Sequence, residues 1–169
     1  MNSLATDNPT KAIKPKTPKL LNPRPIYLDI CALCRPYDVQ EFLRIRMETD
    51  AVNLILSNVI RKRYQLIVSP IHFGEIADIS DAVERVHLRL LLTEIGVRPI
   101  IDMQEVRQRA EDLFNMSFGV ADAAHVAYAE YSGASFITCD DKLIKRCLSQ
   151  ALAIWCGNPV AFCEMEGLK

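Results

Sequence analysis

The sequence predicts an α/β fold in which helices cover both faces of a central parallel sheet of about five strands. Short apolar runs alternate along the chain with segments whose apolar residues recur at helical spacing, and this alternation is typical of parallel βαβ units. The short runs are apolar throughout rather than at every second residue, as expected for strands buried on both faces. A chain of 169 residues suits one compact domain.

The first half of the chain alternates between predicted strands and helices. The apolar run PIYLDI predicts a strand that ends at Asp29–Ile30, and apolar residues at helical spacing predict one long helix or two shorter ones over 38–63. The run YQLIVS predicts a second strand over 64–69. Two helices are then predicted, a short one over 71–79 and a clearer one over 81–96, which Asp81 and Gly96 delimit.

The second half continues the same alternation. A short extended piece is predicted over 97–101, and Asp102 is the expected N-cap of a helix over 102–115. The remaining elements are an alanine-rich helix over 119–133, a strand over 134–139, a helix over 140–150 and a strand over 151–156. The sequence contains no internal repeat.

The N-terminal segment differs in composition from the rest of the chain. Its first 25 residues hold five basic residues, one acid and five prolines, with few apolar residues. Proline and lysine together argue against a packed element. Residues 1–24 are therefore predicted to form a flexible basic tail, and residues 25–169 the domain. The tail could hold polyanions near the domain, or it could be a solvated leader without such a role.

The composition excludes several classes of protein. No apolar run approaches the roughly 20 residues needed to cross a bilayer, and the N-terminus lacks the apolar block of a secretory signal. The sequence therefore indicates a cytoplasmic protein that does not span a membrane. Among the six cysteines, only Cys31 and Cys34 have C-x-x-C spacing, and no second pair completes a zinc site. The cysteines are expected to be small buried hydrophobes.

Four carboxylates are predicted at or beside the junctions between strands and helices, at Asp29, Glu75, Asp122 and Asp140. In open parallel sheets, ligands bind beyond the carboxyl ends of the strands. Each acid alone has an ordinary explanation, since Asp122 and Asp140 suit helix N-termini and Glu75 could be a solvated helix residue. Four carboxylates at one edge would repel each other unless a proton or a cation intervened, and hard divalent cations prefer oxygen ligands.

Four segments carry a family resemblance, and they read IYLDICALCRPYD, SPIHFGE, GVADAAHVAYAEYSGASFITCDDKL and NPVAF. They resemble the PIN domain, the nuclease domain of VapC-type bacterial toxins and of several RNA-processing proteins. The third segment is the most specific, and the resemblance covers nearly all of residues 26–164. It implies a three-layer α/β/α sandwich that gathers acidic residues around Mg²⁺ or Mn²⁺ and hydrolyses RNA.

The resemblance also implies roles for individual residues. By position, the catalytic acids and metal ligands are Asp29, Glu75, Asp122 and Asp140. Asp141 is adjacent to the last acid and could share its role as a metal ligand. Thr138 matches the hydroxyl residue before that acid and could orient it or a metal-bound water.

Other side chains are weaker candidates. His125 lies three residues after Asp122 on the same helix face and could support the site, although a structural hydrogen bond is the alternative. Phosphate contacts are expected from basic residues near the edge, with solvated charges as the alternative; these residues are Arg35, Lys142 and Lys145. The sequence departs from the family at Ile30 and Cys31, where a hydroxyl residue and a small polar residue are common.

Three functions remain open at this stage. The first is a metal-dependent endoribonuclease, which could be the toxin of a toxin–antitoxin pair. The second is a catalytically weak PIN fold that binds RNA or protein, which Ile30 and Cys31 suggest. The helix over 38–63 has more apolar residues than one buried stripe needs, so a homodimer face or a groove for an antitoxin helix is expected there. The third function is that of an unrelated phosphate-handling α/β enzyme. A dehalogenase-like phosphatase would need an acid at Cys31, and a P-loop or dinucleotide fold would need a glycine-rich turn, which follows no predicted strand.

Overall fold

A computed structural model describes residues 22–150 and 152–169 of the chain. Within these residues the first half contains β1 (Arg24–Leu28), α1 (Ile30–Leu33), a 3₁₀ turn (Arg35–Tyr37), α2 (Leu43–Ile60), β2 (Tyr64–Ile67), α3 (Pro70–Ala77), α4 (Ala82–Ile95) and β3 (Gly96–Val97). The second half contains α5 (Met103–Asn115), α6 (Val120–Tyr131), β4 (Ser135–Ile137), α7 (Asp141–Ser149), β5 (Cys156–Gly157) and α8 (Pro159–Glu166).

The five strands form one sheet in the order β3-β2-β1-β4-β5, and every neighbouring pair is parallel. Strand β1 lies at the centre, where Ile26 pairs with Leu66 on one side and with Ser135 on the other. The predicted parallel α/β fold is therefore confirmed. Its central strand places residue 29 between the ends of β2 and β4.

Alternate residues of β1 face two separate apolar cores. Ile26 and Leu28 pack in a cluster with side chains of α2, α4 and α8, whereas Tyr27 packs in a second cluster with side chains of α5, α6 and α7. Because both faces of β1 are buried, its continuous apolar run is what a parallel sheet requires. The two clusters and the sheet between them form the three layers.

All five predicted strands extend beyond the observed ones, the second by two residues and the fourth by three. The first ends at Leu28, because Asp29 leaves the strand and Ile30 begins α1. The third is confined to Gly96–Val97, where Pro99 supplies no N–H to extend a ladder. The last is Cys156–Gly157, since Leu152 and Ile154 pack against the second core instead of pairing.

The helices differ less from their predicted bounds. The segment 38–63 contains one helix, α2, rather than two, and it begins only at Leu43. Helix α8 was not predicted, although Asn158 caps it through Ala161 N–H at 2.8 Å. The predicted tail lies outside the described residues up to position 21, and Arg24 already belongs to β1. No helix in the described ranges is long and apolar enough to cross a membrane.

Candidate functional site

The candidate site lies at the carboxyl edge of the sheet. Strands β1, β2 and β4 end there, and helices α1, α3 and α7 begin within a few residues of those ends. Asp29 follows β1, Glu75 is on α3, and Asp140 precedes α7. Helix α6 contributes Asp122 in its first turn and His125 one turn later. The parallel topology thus converts positions far apart in sequence into neighbours at one edge.

Asp29 is held through only one of its two carboxylate oxygens. The side chain of Thr138 donates to Asp29 Oδ2 at 2.7 Å, and the thiol of Cys31 donates to the same oxygen at 3.1 Å. No residue in the described ranges donates a hydrogen bond to Oδ1, which lies 3.9 Å from His125 Nε2. Asp29 is only 8% exposed, and because no buried side-chain oxygen in the described ranges lacks a partner, Oδ1 is an accessible acceptor that lies beside the other site residues.

The thiol of Cys31 takes part in this arrangement as a donor. Contact with Cys139, burial and the nearby charge of Asp29 raise the pKa of Cys31 above its usual value, so the thiol keeps its proton. Its sulfur accepts from Cys139 N–H at 3.2 Å, and Thr138 Oγ1 accepts from Asp140 N–H at 3.1 Å. The departure from the family at residue 31 therefore retains a hydrogen-bond donor to Asp29, which the sequence did not reveal.

Glu75 and His125 form the second part of the site. His125 Nε2 lies 2.7 Å from Glu75 Oε2, and the imidazole is buried while the carboxylate is about one-third exposed. Each of Asp29, Glu75 and His125 offers an oxygen or nitrogen atom, and these atoms all lie within 4.8 Å of one another. The structure thus brings two of the predicted acids and the predicted supporting histidine together.

Asp122 completes the acidic group from α6. Burial and, after it, the charges of Asp29 and Asp140 raise the pKa of Asp122 above its ordinary value. The carboxylate folds back over Gly119, because a Cβ atom placed there would lie 2.9 Å from Asp122 Oδ2. Glycine at position 119 therefore leaves room for this carboxylate, a contact that only the folded chain reveals.

Asp140 and Asp141 have different surroundings. Asp140 Oδ1 caps α7 by accepting from the N–H groups of Lys142 at 2.7 Å and Leu143 at 3.1 Å. Asp141 points toward Arg44, which binds both carboxylate oxygens at 2.6 and 2.7 Å and lowers the pKa of Asp141. The structure therefore does not bring Asp141 into the group that contains Asp29, and its charge is balanced by Arg44.

The predicted basic contacts have different surroundings. Lys142 and Lys145 are exposed on α7, whereas Arg35 donates to Asp38 and to Glu48, both at 2.6 Å. Glu48 is only 2% exposed and also accepts from Arg44 at 2.8 Å. The Arg44–Glu48 pair has the i,i+4 spacing of a helix, whereas the contact of Arg35 with Glu48 joins the 3₁₀ turn to α2 and has no local sequence signal.

The donor set fits a hard divalent cation. Asp29 presents a carboxylate oxygen without a hydrogen bond from the described residues, and Asp122 carries a pKa raised in part by neighbouring carboxylates. A cation between these groups would relieve that repulsion and would supply the missing partner of Asp29. Mg²⁺ and Mn²⁺ both prefer such oxygen ligands.

The fold and this edge define an α/β protein with an acidic, cation-compatible site. The sequence model of the PIN domain matches residues 40–147, and the chain belongs to the PIN domain family. Such domains are typically metal-dependent nucleases, so membership implies a nucleic-acid substrate. The matched range includes Glu75, Asp122 and Asp140 but begins after Asp29, whose placement depends on the structure. No curated protein matches the chain.

Proposed function

We propose that this protein is an endoribonuclease that uses Mg²⁺ or Mn²⁺ to hydrolyse RNA phosphodiester bonds. One observation carries the proposal: the Asp29 carboxylate is held through Oδ2 by Thr138, while Oδ1 faces the Glu75–His125 pair. Such an arrangement leaves a preorganised oxygen for a cation in a chain of a nuclease family. RNA rather than DNA is proposed from the resemblance of the site motifs to VapC-type toxins.

The acids divide into ligands and a base. Asp29, Asp122 and Asp140 would hold the cation, with Asp141 as a candidate ligand only if Arg44 released it. A bound divalent cation lowers the pKa of a coordinated water and neutralises charge that develops on the phosphodiester. Glu75 either ligates the cation or accepts the proton of the attacking water, and hydrolysis would leave a 5′-phosphate.

The remaining residues position these acids and the substrate. His125 donates to Glu75 and fixes the carboxylate, and Thr138 fixes Asp29 in the same way. Lys142 and Lys145 are exposed beside Asp140 and would contact backbone phosphates. Arg35 would contact a phosphate through its Nη1 group, which in this structure donates to the partly exposed Asp38. Single-stranded or looped RNA is the expected form, because its bases are accessible.

The test compares single substitutions that keep shape but remove charge. Asp29→Asn, Asp122→Asn and Asp140→Asn should each lower Mn²⁺-dependent cleavage of a labelled single-stranded RNA by roughly 100-fold or more, and EDTA should abolish cleavage by the wild-type protein. Asp50→Asn is the matched control, since Asp50 is an exposed carboxylate on α2. Near wild-type activity in all three site variants, with folding verified by circular dichroism, would reject the assignment.

A role as the toxin of a toxin–antitoxin pair is the finer form of the proposal. Phe42, Leu43 and Met47 are exposed at the start of α2, and this apolar surface supports a partner, either an antitoxin helix or a second copy. Induced expression in a bacterial host should arrest growth with the wild-type protein but not with Asp29→Asn. Light scattering would give the oligomeric state, and equal growth with both proteins would argue against a toxin.

A catalytically weak binding module is the alternative function. Ile30 and Cys31 suggested it, yet Cys31 donates to Asp29 in the folded protein, which removes part of its basis. RNA binding that persists without any cleavage, equally in Mn²⁺ and in EDTA, would favour this alternative.

A further inference from the structure

A row of four buried polar side chains lies directly behind Glu75. Tyr27 of β1 contacts Ser69 Oγ at 2.6 Å on one side and His125 Nδ1 at 2.6 Å on the other. Ser69 caps α3 and contacts His72, whose Nε2 lies 2.8 Å from the carbonyl oxygen of Leu28. All four residues are at most 1% exposed, so water cannot substitute for any of these contacts.

The two ends of the row fix the direction of the hydrogen bonds that the two histidines make there. The Leu28 carbonyl can only accept, so His72 donates from Nε2 and accepts at Nδ1 from Ser69 N–H at 3.1 Å. Burial and then repulsion from His125 lower the pKa of His72 to about 4, so this ring is neutral at pH 7. At the other end the Glu75 carboxylate accepts, and His125 donates to it from Nε2.

When His125 is neutral, the middle of the row has one consistent arrangement. Its proton on Nε2 then leaves Nδ1 bare, so Nδ1 accepts from the Tyr27 hydroxyl, and the Tyr27 oxygen accepts from the Ser69 hydroxyl. Ser69 Oγ accepts in turn from the backbone N–H of His72 in the capping box. No buried side-chain nitrogen or oxygen is left without a partner among the described residues. Within those residues, Tyr27 is the donor for His125 Nδ1 in the neutral imidazole.

We propose that Tyr27 is a positioning residue that acts on Glu75 through His125. A neutral imidazole has two tautomers, and a donor at Nδ1 selects the form that carries its proton on Nε2. The Tyr27 hydroxyl therefore fixes both the tautomer and the ring orientation of His125, which aims the Nε2 proton at the Glu75 carboxylate. The catalytic consequence depends on the proposed function, in which Glu75 belongs to the reacting site.

Removing only the hydroxyl tests this role. In Tyr27→Phe, His125 Nδ1 is buried without a donor, the ring loses its orientation, and Glu75 becomes mobile. Loss of a residue that holds a ligand or base in this indirect way typically lowers metal affinity or activity by about 10–100-fold. Tyr27→Phe should therefore lower kcat for RNA cleavage by about tenfold, with a smaller change in KM.

Tyr64→Phe is the matched control. Tyr64 is also buried, and its hydroxyl donates to Glu166 Oε2 at 2.7 Å at the opposite edge of the sheet. Tyr64→Phe loses one hydroxyl hydrogen bond and Tyr27→Phe loses two, so both melting temperatures should fall, and that of Tyr27→Phe by more. Only Tyr27→Phe should lower kcat. If the two variants reduce kcat equally, the loss is a general effect of stability and the proposal is wrong.

A second variant shows whether the effect passes through Glu75. Glu75→Gln removes the group that Tyr27 is proposed to position, so adding Tyr27→Phe to Glu75→Gln should cause little further loss of kcat. Because residues that act as a unit are non-additive, this result would support the proposal. A full tenfold further loss in the double variant would show that Tyr27 acts on another group.

Nuclear magnetic resonance of metal-free protein tests the tautomer without any activity measurement. The chain has three histidines, and the ¹⁵N signals lost in His125→Gln identify His125. Wild-type His125 should carry its proton on Nε2, and that proton should exchange with water about tenfold faster in Tyr27→Phe. A wild-type proton on Nδ1, or unchanged exchange in the variant, overturns the proposal.

The two proposals fail in different ways. Wild-type activity in Glu75→Gln would remove Glu75 from the chemistry and contradict that part of the proposed function. The metal-free spectra would still decide whether Tyr27 fixes His125 against Glu75, because they depend on neither RNA nor metal.

Discussion

Asp29 is a carboxylate that the fold buries almost completely, with only 8% of its surface exposed. An ionised group in such a place is costly unless it is paired. Thr138 and Cys31 compensate one oxygen by donating to it, and the proposed cation would compensate the other. The site therefore depends on a carboxylate that protein donors position through Oδ2, while Oδ1 receives no hydrogen bond from the described residues.

Asp122 provides a pH test of the same idea. Its pKa is raised by burial and by the charges of Asp29 and Asp140, while His125 and Arg146 act weakly in the opposite direction. A carboxyl group with a raised folded-state pKa contributes stability below its unfolded pKa, and that contribution is lost as pH rises through the folded-state pKa. The metal-free protein should thus lose stability from Asp122 as pH rises from about 4.

Asparagine does not titrate, so Asp122→Asn should remove this loss of stability with rising pH. In EDTA at pH 7, the variant should melt at a higher temperature than the wild-type protein, and the difference should disappear near pH 3. In excess Mn²⁺ the order should reverse, because the variant has lost a ligand. Differential scanning calorimetry with Asp50→Asn as the control measures both effects. A lower melting temperature for Asp122→Asn in EDTA at pH 7 would contradict carboxylate repulsion in the metal-free site.

At the scale of elements, the start of α7 combines a structural and a proposed catalytic role in Asp140. Its Oδ1 atom caps the helix, while its negative charge contributes to the raised pKa of Asp122. Asparagine retains the capping acceptor without the charge, whereas alanine loses both. Replacing an N-cap by alanine typically lowers stability by about 0.5–2 kcal/mol, so the two substitutions separate the roles.

Asp140→Asn should retain the unfolding free energy of the wild-type protein in EDTA, and Asp140→Ala should lose about 1 kcal/mol. Both should lose Mn²⁺-dependent cleavage to a similar extent. Urea unfolding and a cleavage assay provide the two measurements. If Asp140→Asn cleaves like the wild-type protein while Asp140→Ala is both unstable and inactive, Asp140 is a cap and not a ligand.

Helix α7 also shows why some elements of the fold can be predicted from the sequence. The predicted bounds of α4, α5 and α7 are correct to within one residue at each end, because a capping aspartate marks each start chemically. Strands β3 and β5 are only two residues long, and an apolar run does not show where pairing ends. Leu152 and Ile154 are apolar because they contact the second core, which has the same sequence signal as a strand.

The location of the candidate acids was predictable from the sequence, because the parallel topology places strand ends and helix starts at one edge of the sheet. The acids at positions 29, 75, 122 and 140 follow from strand ends and helix starts. Side-chain partners do not follow, because Thr138 and Asp29 or Arg44 and Asp141 are about a hundred residues apart, with separations of 109 and 97. In the sequence, Tyr27 cannot be told apart from the other residues of an apolar strand, and only the folded structure shows that its hydroxyl lies beside His125.

At the scale of the whole molecule, the basic N-terminal segment is proposed to bind RNA outside the site. Deleting residues 1–21 leaves β1 intact and removes four lysines. Each phosphate contact contributes a slope of roughly −0.7 to the dependence of log affinity on log salt for single strands. The deletion should therefore weaken RNA binding at low salt and flatten this slope by up to about 3, with little change in melting temperature.

Fluorescence anisotropy of the catalytically impaired Asp29→Asn protein, with and without residues 1–21, measures binding free of cleavage. Replacing the four lysines by glutamine in the full chain is the matched control for length. An unchanged salt slope in both proteins would reduce the segment to a leader that does not contact RNA.

The last prediction joins the metal to folding. Carboxylates held close at one edge oppose folding at neutral pH, so a cation that binds only the folded protein should stabilise it by RT ln(1 + [L]/Kd), about 2.7 kcal/mol at a hundredfold excess over Kd. For a domain of this size about 1 kcal/mol raises the melting temperature by roughly 2–4 °C, so Mn²⁺ should raise it by about 5–11 °C. Mn²⁺ should act at least as strongly as Mg²⁺. The rise should shrink in Asp29→Asn but persist in Tyr64→Phe, and a wild-type melting curve unaffected by millimolar Mn²⁺ would show that these acids do not form a metal site.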